Sequence, residues 1–88
     1  MVDPTIISFI ARSKRRREVL KLLLEKQISQ PEIMRITKMY KAHTSRTIGE
    51  LCDKKLAICK NPEDRAFKFY SITRLGREIL RELPNVCP

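Results

Sequence analysis

The sequence is poor in the residues that build catalytic and metal sites. It has two glycines and one histidine, so it holds no glycine-rich phosphate loop and no convincing catalytic base. Its three cysteines, Cys52, Cys59 and Cys87, are odd in number and form no CxxC pair, which argues against a disulfide framework or a zinc module. We therefore expect no catalytic residues, no metal and no cofactor. Cys52 is expected to be a packing thiol, and redox sensing through any of the three cysteines stays open.

Long apolar segments are also lacking. Apolar residues occur in short runs such as residues 22–24, so we expect no membrane span. The first residues, MVDP, lack the basic-then-apolar order of a secretory signal. The basic residues lack the strongly apolar opposite face of a membrane-surface helix. These features predict a cytoplasmic protein with no membrane partner and no evident small-molecule ligand.

Positive charge is what the sequence has in excess. Its 88 residues fit a single globular domain and include 19 Lys and Arg against 10 Asp and Glu, a net charge of +9. Residues 1–47 hold eleven basic and four acidic groups, while residues 48–88 hold eight and six. Five of the six residues in 12–17 are basic. Such a surplus attracts polyanions, although a solvated face that confers solubility is the simpler alternative.

Capping residues and apolar spacing predict two helices before residue 27. Asp3 and Pro4 suit the start of a short helix over residues 4–11, and Ser13 suits the cap of a helix over 14–26. The second helix carries one apolar stripe formed by Val19, Leu20, Leu22, Leu23 and Leu24. Its first turn is basic, which opposes the helix dipole. An external anion such as phosphate explains that placement better than a solvated face does.

The middle of the chain predicts a helix-turn-helix over about residues 30–55. Residues 27–28 are expected to be a brief extended link. Ser29 then suits an N-cap, with Pro31 in the first turn and Glu32 completing a capping box. This helix ends near residue 37, residues 38–40 make a tight connection, and a longer helix follows over 41–55. Gly49 lies inside the longer helix and is expected to allow close helix packing.

A β-hairpin and a last helix complete the predicted fold. Residues 56–60 alternate in polarity, residues 61–65 favour a turn, and residues 66–72 are aromatic and β-favouring, so a hairpin is expected over about 56–72. Thr73 suits the cap of a helix over 74–83. The predicted fold is mainly α with a small β-hairpin (α+β), a winged helix-turn-helix that occupies residues 1–88.

Three short segments of the sequence match a known pattern. They are SKRRREVL at residues 13–20, LCDKKL at 51–56 and ITRLGRE at 72–78. In these segments the chain resembles archaeal winged-helix transcriptional regulators related to the arsenical-resistance and multiple-antibiotic-resistance repressor groups, over about residues 10–83. The chain departs from the pattern at Lys38, where the group commonly has glycine, so this turn needs either a strained backbone or a different geometry. It also departs at Cys52, which lacks the second cysteine of a metal-binding pair.

The resemblance implies that the helix over 41–55 enters the major groove of DNA. The residues expected to read bases are Tyr40, Lys41, Ala42, His43, Ser45 and Arg46. Their chemistry agrees, since Lys41 and Arg46 can donate to guanine O6 and N7, whereas Thr44 and Ile48 should face inward. Arg46 equally suits an ion pair with Glu50 one turn on, and Tyr40 equally suits packing in the turn.

Other residues are expected to contact the DNA backbone. Helix starts, the basic run and the connecting turn supply Ser13, Lys14, Arg15, Arg16, Arg17, Ser29, Gln30 and Lys38. The tip of the hairpin supplies Arg65 and Lys68, which suit the backbone or the minor groove. Binding should weaken steeply with salt because each neutralised phosphate releases counterions.

A domain of this size covers a short stretch of groove, so recognition is expected to need two copies. The predicted dimer interface joins apolar residues from both ends of the chain: Ile6, Ile7, Phe9, Ile10, Ile79, Leu80 and Leu83. The predicted function is that of a sequence-specific, double-stranded DNA-binding transcriptional regulator, a dimeric repressor. The alternatives are a chromatin-like or RNA-binding protein that coats nucleic acid without sequence preference, and a winged helix that binds another protein.

Overall fold

Five helices and three short strands make up the chain, which a computed structural model describes over residues 4–64 and 68–83. In chain order these elements are α1 (Pro4–Ala11), α2 (Lys14–Glu25), β1 (Ile28–Ser29), α3 (Gln30–Thr37), α4 (Lys41–Asp53), β2 (Ala57–Cys59), β3 (Phe69–Ile72) and α5 (Arg74–Glu82). No helix within these described ranges is long and apolar enough to cross a bilayer.

The helices begin where side chains satisfy their first backbone N–H groups. Ser13, Ser29 and Thr73 each accept a hydrogen bond from the backbone N–H three residues further on, as their N-cap positions predict. The Glu32 carboxylate was expected to close a capping box at Ser29. It is paired instead with the Lys26 ammonium, 3.3 Å away, which ties the end of α2 to the start of α3.

The sheet has three antiparallel strands in the order β1-β3-β2, one more than the predicted hairpin. Ile28 lies opposite Tyr70 in the added strand pair. The brief extended link expected over residues 27–28 is extended at Ile28, but its pairing as an edge strand was not foreseen. Two residues are too few to show the period-two alternation by which a strand is identified.

The core lies where α2 crosses the other elements. Its largest fully buried side chains come from every layer of the fold: Ile10, Val19, Leu20, Leu23, Ile28, Ile33, Leu51, Leu56 and Ile79. Leu24 is 46% exposed, so the apolar stripe of α2 is narrower than its sequence suggests. Ile10 and Ile79 have no exposed surface. These two predicted interface residues therefore belong to the core of their own chain.

The two glycines differ in what surrounds them. A Cβ added to Gly49, which was expected to allow close packing, would meet nothing within 4 Å. A Cβ added to Gly76 would lie 2.4 Å from the carbonyl oxygen of Leu56 and 2.7 Å from Cγ1 of Ile72. The close approach is thus made by α5 against the turn after α4, and the prediction for Gly49 was wrong.

Alanine at the two glycines should have opposite effects on the free energy of unfolding. We expect Gly49→Ala to stabilise the protein by about 0.5–1 kcal/mol, because the residue is exposed inside a helix. We expect Gly76→Ala to destabilise it by about 1–3 kcal/mol through overpacking. Urea unfolding of the two variants checks this, and changes of the same sign would contradict the packing described here.

Candidate nucleic-acid interface

Helix α4 has one buried side and one exposed side. Thr44, Thr47, Ile48 and Leu51 are buried, so Thr44 and Ile48 face inward as predicted. The exposed side of its first turns carries all six residues expected to read bases: Tyr40, Lys41, Ala42, His43, Ser45 and Arg46. We refer to these six residues as the exposed α4 face. The packing of α4 therefore leaves all six exposed, and Ala42, His43 and Arg46 line one shallow depression.

The backbone at the start of α4 leaves Tyr40 free to project outward. The Tyr40 carbonyl accepts hydrogen bonds from both the backbone N–H and the Oγ1 of Thr44, at 2.9 and 3.0 Å. The tyrosine side chain makes no capping hydrogen bond and is 80% exposed. It does not pack in the turn, so that alternative is excluded. The first N–H groups of α4 carry the partial positive charge of a helix N-terminus, which attracts phosphate.

The turn before α4 contains a lysine in a conformation that favours glycine. Lys38 has φ 63° and ψ 24°, and its N–H donates to the Met34 carbonyl at 2.8 Å. A left-handed backbone costs a residue with a Cβ about 1–2 kcal/mol. The departure from glycine noted in the sequence is therefore accommodated by strain rather than by a different turn. The result is an exposed positive charge beside the exposed α4 face.

Gln30, expected at the DNA backbone, contacts the exposed α4 face itself. Its Nε2 donates to the Ser45 Oγ at 2.7 Å, which joins the start of α3 to the second turn of α4. Because the Ser45 oxygen accepts this bond, its own proton is available to another acceptor. The Gln30–Ser45 pair therefore offers two groups to a ligand: the Ser45 proton as a donor and the Gln30 amide oxygen as an acceptor.

Arg16 is used inside the protein, contrary to the expectation that it contacts DNA. Its Nε and Nη2 donate to the two carboxylate oxygens of Glu50, both at 3.1 Å, and its Nη1 donates to the Phe9 carbonyl at 2.9 Å. Its guanidinium carbon lies 3.7 Å from the centroid of the Phe9 ring. The sequence suggested an ion pair between Glu50 and Arg46, but in the structure Glu50 forms its ion pair with Arg16. All three elements α1, α2 and α4 meet at this side chain.

The other basic residues at the start of α2 differ in their contacts. Arg17 donates to the Ala11 carbonyl, so it closes the α1–α2 junction rather than facing outward, while Lys14 and Arg15 are exposed. Glu50 comes seven residues after His43, which is about 10 Å along the helix axis. The start of α2 therefore lies beside the later turns of α4, not beside its first turns.

The two residues expected at the tip of the hairpin have different standing. Lys68 is half-buried, and Arg65 lies outside the described residues.

The Arg16–Glu50 pair gives the protein a specific acid sensitivity. The hydrogen bonds from Arg16, with the positive charges of Arg16 and Arg46, lower the pKa of Glu50 against the opposing effect of desolvation. A carboxyl whose pKa is lower in the folded state stabilises the fold above its ordinary pKa, and that contribution is lost as pH falls through the folded pKa.

Arg16→Ala should therefore destabilise the protein in a pH-dependent way. We expect a loss of about 1–2 kcal/mol near neutral pH, since the variant loses a charged bidentate pair and a backbone hydrogen bond. The difference from the natural chain should shrink as pH falls below the ordinary pKa of a glutamate and then through the lowered pKa of Glu50. Thermal unfolding across pH checks this, with Lys21→Ala on the exposed side of α2 as the control. A difference that is constant with pH would contradict the role of Glu50.

The cysteines contribute to packing. Cys52 and Cys59 are free, half-buried and packed against the core, and burial raises the pKa of the Cys52 thiol. Cys87 lies outside the described residues. Within residues 4–64 and 68–83, no three His, Cys, Asp or Glu side chains are grouped so that they could hold a metal ion.

The fold of this chain recurs in solved structures. AdcR, the adhesin competence repressor of Streptococcus pyogenes, superposes with a TM-score of 0.70 at 17% identity, over 80% of this chain and 53% of AdcR. Reduced HlyU from Vibrio cholerae superposes with a TM-score of 0.70 at 19% identity, over 88% of this chain and 82% of HlyU. The chain has a winged-helix fold.

A further solved structure, ZitR from Lactococcus lactis, superposes with a TM-score of 0.69 at 19% identity, over 80% of this chain and 49% of ZitR. The chain thus spans about half the length of AdcR and ZitR. Its sequence matches no protein-family profile and no curated protein. At these identities the structural likeness establishes the fold and nothing finer.

Proposed function

We propose that the chain is a transcriptional regulator that binds double-stranded DNA sequence-specifically, and that it acts as a homodimeric repressor. The observation that carries the proposal is the exposed α4 face, a set of donors and cations held outward by a fully buried opposite side. The winged-helix fold supports it, because this fold places such a helix where a DNA groove can receive it. AdcR, which has this fold, is named a repressor.

The exposed α4 face carries the chemistry for reading base edges. The major groove is wide enough to admit a helix and shows each base pair as a distinct pattern of donors and acceptors. Lys41 and Arg46 suit the O6 and N7 acceptors of guanine, and Ala42 suits the methyl group of thymine. Ser45 and Gln30 together offer a proton and a carbonyl oxygen, which matches the N7 and N6 positions of adenine.

Binding strength would come from phosphate contacts beside this face and further along the duplex. Exposed Lys38 lies just before α4, exposed Lys14 and Arg15 lie beside its later turns, and half-buried Lys68 lies in the hairpin. The free N–H groups at the start of α4 add a further phosphate contact. A net charge of +9 on 88 residues supplies long-range attraction to DNA.

Selection of bound duplexes from a random pool tests the proposed function. A dimeric, sequence-specific protein should enrich two related half-sites about one helical turn apart, or a multiple of that spacing. A pool that stays random while the protein still retains DNA would overturn sequence specificity. That outcome would favour a protein that coats nucleic acid.

Arg46 should affect the base preference of DNA binding, whereas Arg15 should affect its overall affinity. We expect Arg46→Ala to relax the base preference at one position, with a loss of about 1–3 kcal/mol on the preferred duplex only. Arg15→Ala should weaken binding to all duplexes alike and flatten the salt dependence. Titration of each variant with the selected duplex and a scrambled one measures both effects. Identical losses on both duplexes for both variants would remove the base-reading role of Arg46.

Lys38→Gly should separate stability from binding. Glycine fits the left-handed conformation at this position without strain, so we expect the free energy of unfolding to rise by about 1 kcal/mol. The same variant should bind DNA more weakly, because it lacks a phosphate contact. Urea unfolding and DNA titration of one preparation check this, and undiminished affinity would exclude Lys38 from the interface.

The remaining apolar residues of α1 and α5 are the proposed dimer contacts. Five of the seven predicted residues keep some exposed surface: Ile6, Ile7, Phe9, Leu80 and Leu83. The two helices that carry or border them, α1 and α5, pack against each other in one chain. We expect light scattering of the pure protein at micromolar concentration to give twice the mass of the chain. A mass equal to that of one chain would contradict the dimer.

A further inference from the structure

Helix α5 carries a second cationic surface away from the exposed α4 face. Arg74, Arg77 and Arg81 are all exposed, and their spacing of three and four residues places them on one side of the helix. The opposite side holds Ile79 and Gly76, which are buried. We call the three arginines the α5 arginine strip.

The arginines of this strip lack an ion-pair partner among the residues that the structure describes, although Glu78 and Glu82 lie on the same helix. The placement of Arg74 and Arg77 also disfavours the helix, whereas Arg81 lies in the last turn, where the dipole favours a cation. Arg74 and Arg77 lie in a first turn without acidic residues, where the helix dipole prefers anions, and Arg77 and Arg81 repel each other one turn apart. An external anion would remove both unfavourable effects.

The strip also forms a concave surface. The three arginines, with Ile72 and Glu78, line an open depression of about 430 Å³. Guanidinium groups bind phosphate through paired, planar hydrogen bonds, so a depression lined by three of them suits successive phosphates of a nucleic acid backbone.

The strip and the exposed α4 face lie at opposite ends of α4. Thr73 Oγ1, at the start of α5, donates to the Lys55 carbonyl at 2.7 Å, so α5 begins beside the end of α4. Helix α4 has thirteen residues, which separates Lys41 from its last residue by about 20 Å. The turns of α4 proposed to read bases therefore lie at the end of the helix that is remote from the arginine strip.

We propose that the α5 arginine strip binds the phosphate backbone of a second DNA segment, so that the bound protein bridges two duplexes. This inference rests on the proposed DNA-binding function and extends it. The strip contributes no base contact, so its binding is independent of sequence. An acidic protein surface is the alternative occupant that the test must separate.

A bridging assay tests the proposal. The selected duplex is immobilised and saturated with protein at about 50 mM salt, where phosphate contacts are strong, and a labelled random duplex is then offered. We expect the natural chain to capture the second duplex. The variant Arg74→Gln/Arg77→Gln/Arg81→Gln should capture at least about tenfold less of the labelled duplex than the natural chain does. Its affinity for the immobilised duplex should stay within about twofold of the natural chain's affinity.

The matched control removes three exposed cations elsewhere, as Arg12→Gln/Lys21→Gln/Lys60→Gln, and should retain capture. Circular dichroism checks that each variant is folded. Absence of capture by the natural chain, as expected if the strip binds an acidic protein, would overturn the proposal. So would equal capture by the strip variant, or parallel loss of binding to the immobilised duplex. Failure of the proposed function gives a different result, because the immobilised duplex would then be held no better than a scrambled one.

Discussion

The burial of one side of α4 is the constraint on which the rest of the structure depends. Ile48 and Leu51 enter the core, and Thr44 joins them because its hydroxyl donates to the Tyr40 carbonyl, which satisfies a polar group that burial would otherwise penalise. Once this side is fixed, the intervening residues face outward. Arg16 then holds the later turns of α4 through Glu50 and connects them to α1 through the Phe9 carbonyl and ring.

This arrangement gives the basic residues distinct uses. Arg16 and Arg17 stabilise the α1–α2–α4 junction, while Lys14 and Arg15 remain in contact with solvent. Adjacent residues of one charged run therefore differ in role, because successive helix positions point about 100° apart. Charge alone establishes that a polyanion is attracted. The packing decides which charges can meet it.

Much of the fold could be predicted from local patterns. Ser13, Ser29 and Thr73 are short polar residues before apolar periodic segments, and each caps a helix. The features that could not be predicted depend on contacts between residues far apart along the chain. The strand at residue 28 exists because Tyr70 lies opposite it, and Arg16 pairs with a residue 34 positions away.

The candidate site was predictable to a similar degree. The alternation of Thr44 and Ile48 with polar neighbours was enough to divide α4 into two sides. The contact of Gln30 with Ser45 was not, since the angle between α3 and α4 determines it and no pattern in either helix reports that angle. At Lys38 the missing glycine left two alternatives, a strained backbone or a different turn, and the left-handed conformation of Lys38 decides for strain.

The central claim is that the exposed α4 face is the surface that meets DNA. The most direct measurement is an amide chemical-shift titration of the isotopically labelled protein with the duplex selected from the random pool. The account predicts that the largest shifts cluster at residues 40–46 and at Gln30, with smaller shifts at Lys38 and Lys68. Shifts confined to the outer side of the wing strands, where Ile58 and Phe69 are exposed, with residues 40–46 unmoved, would contradict it.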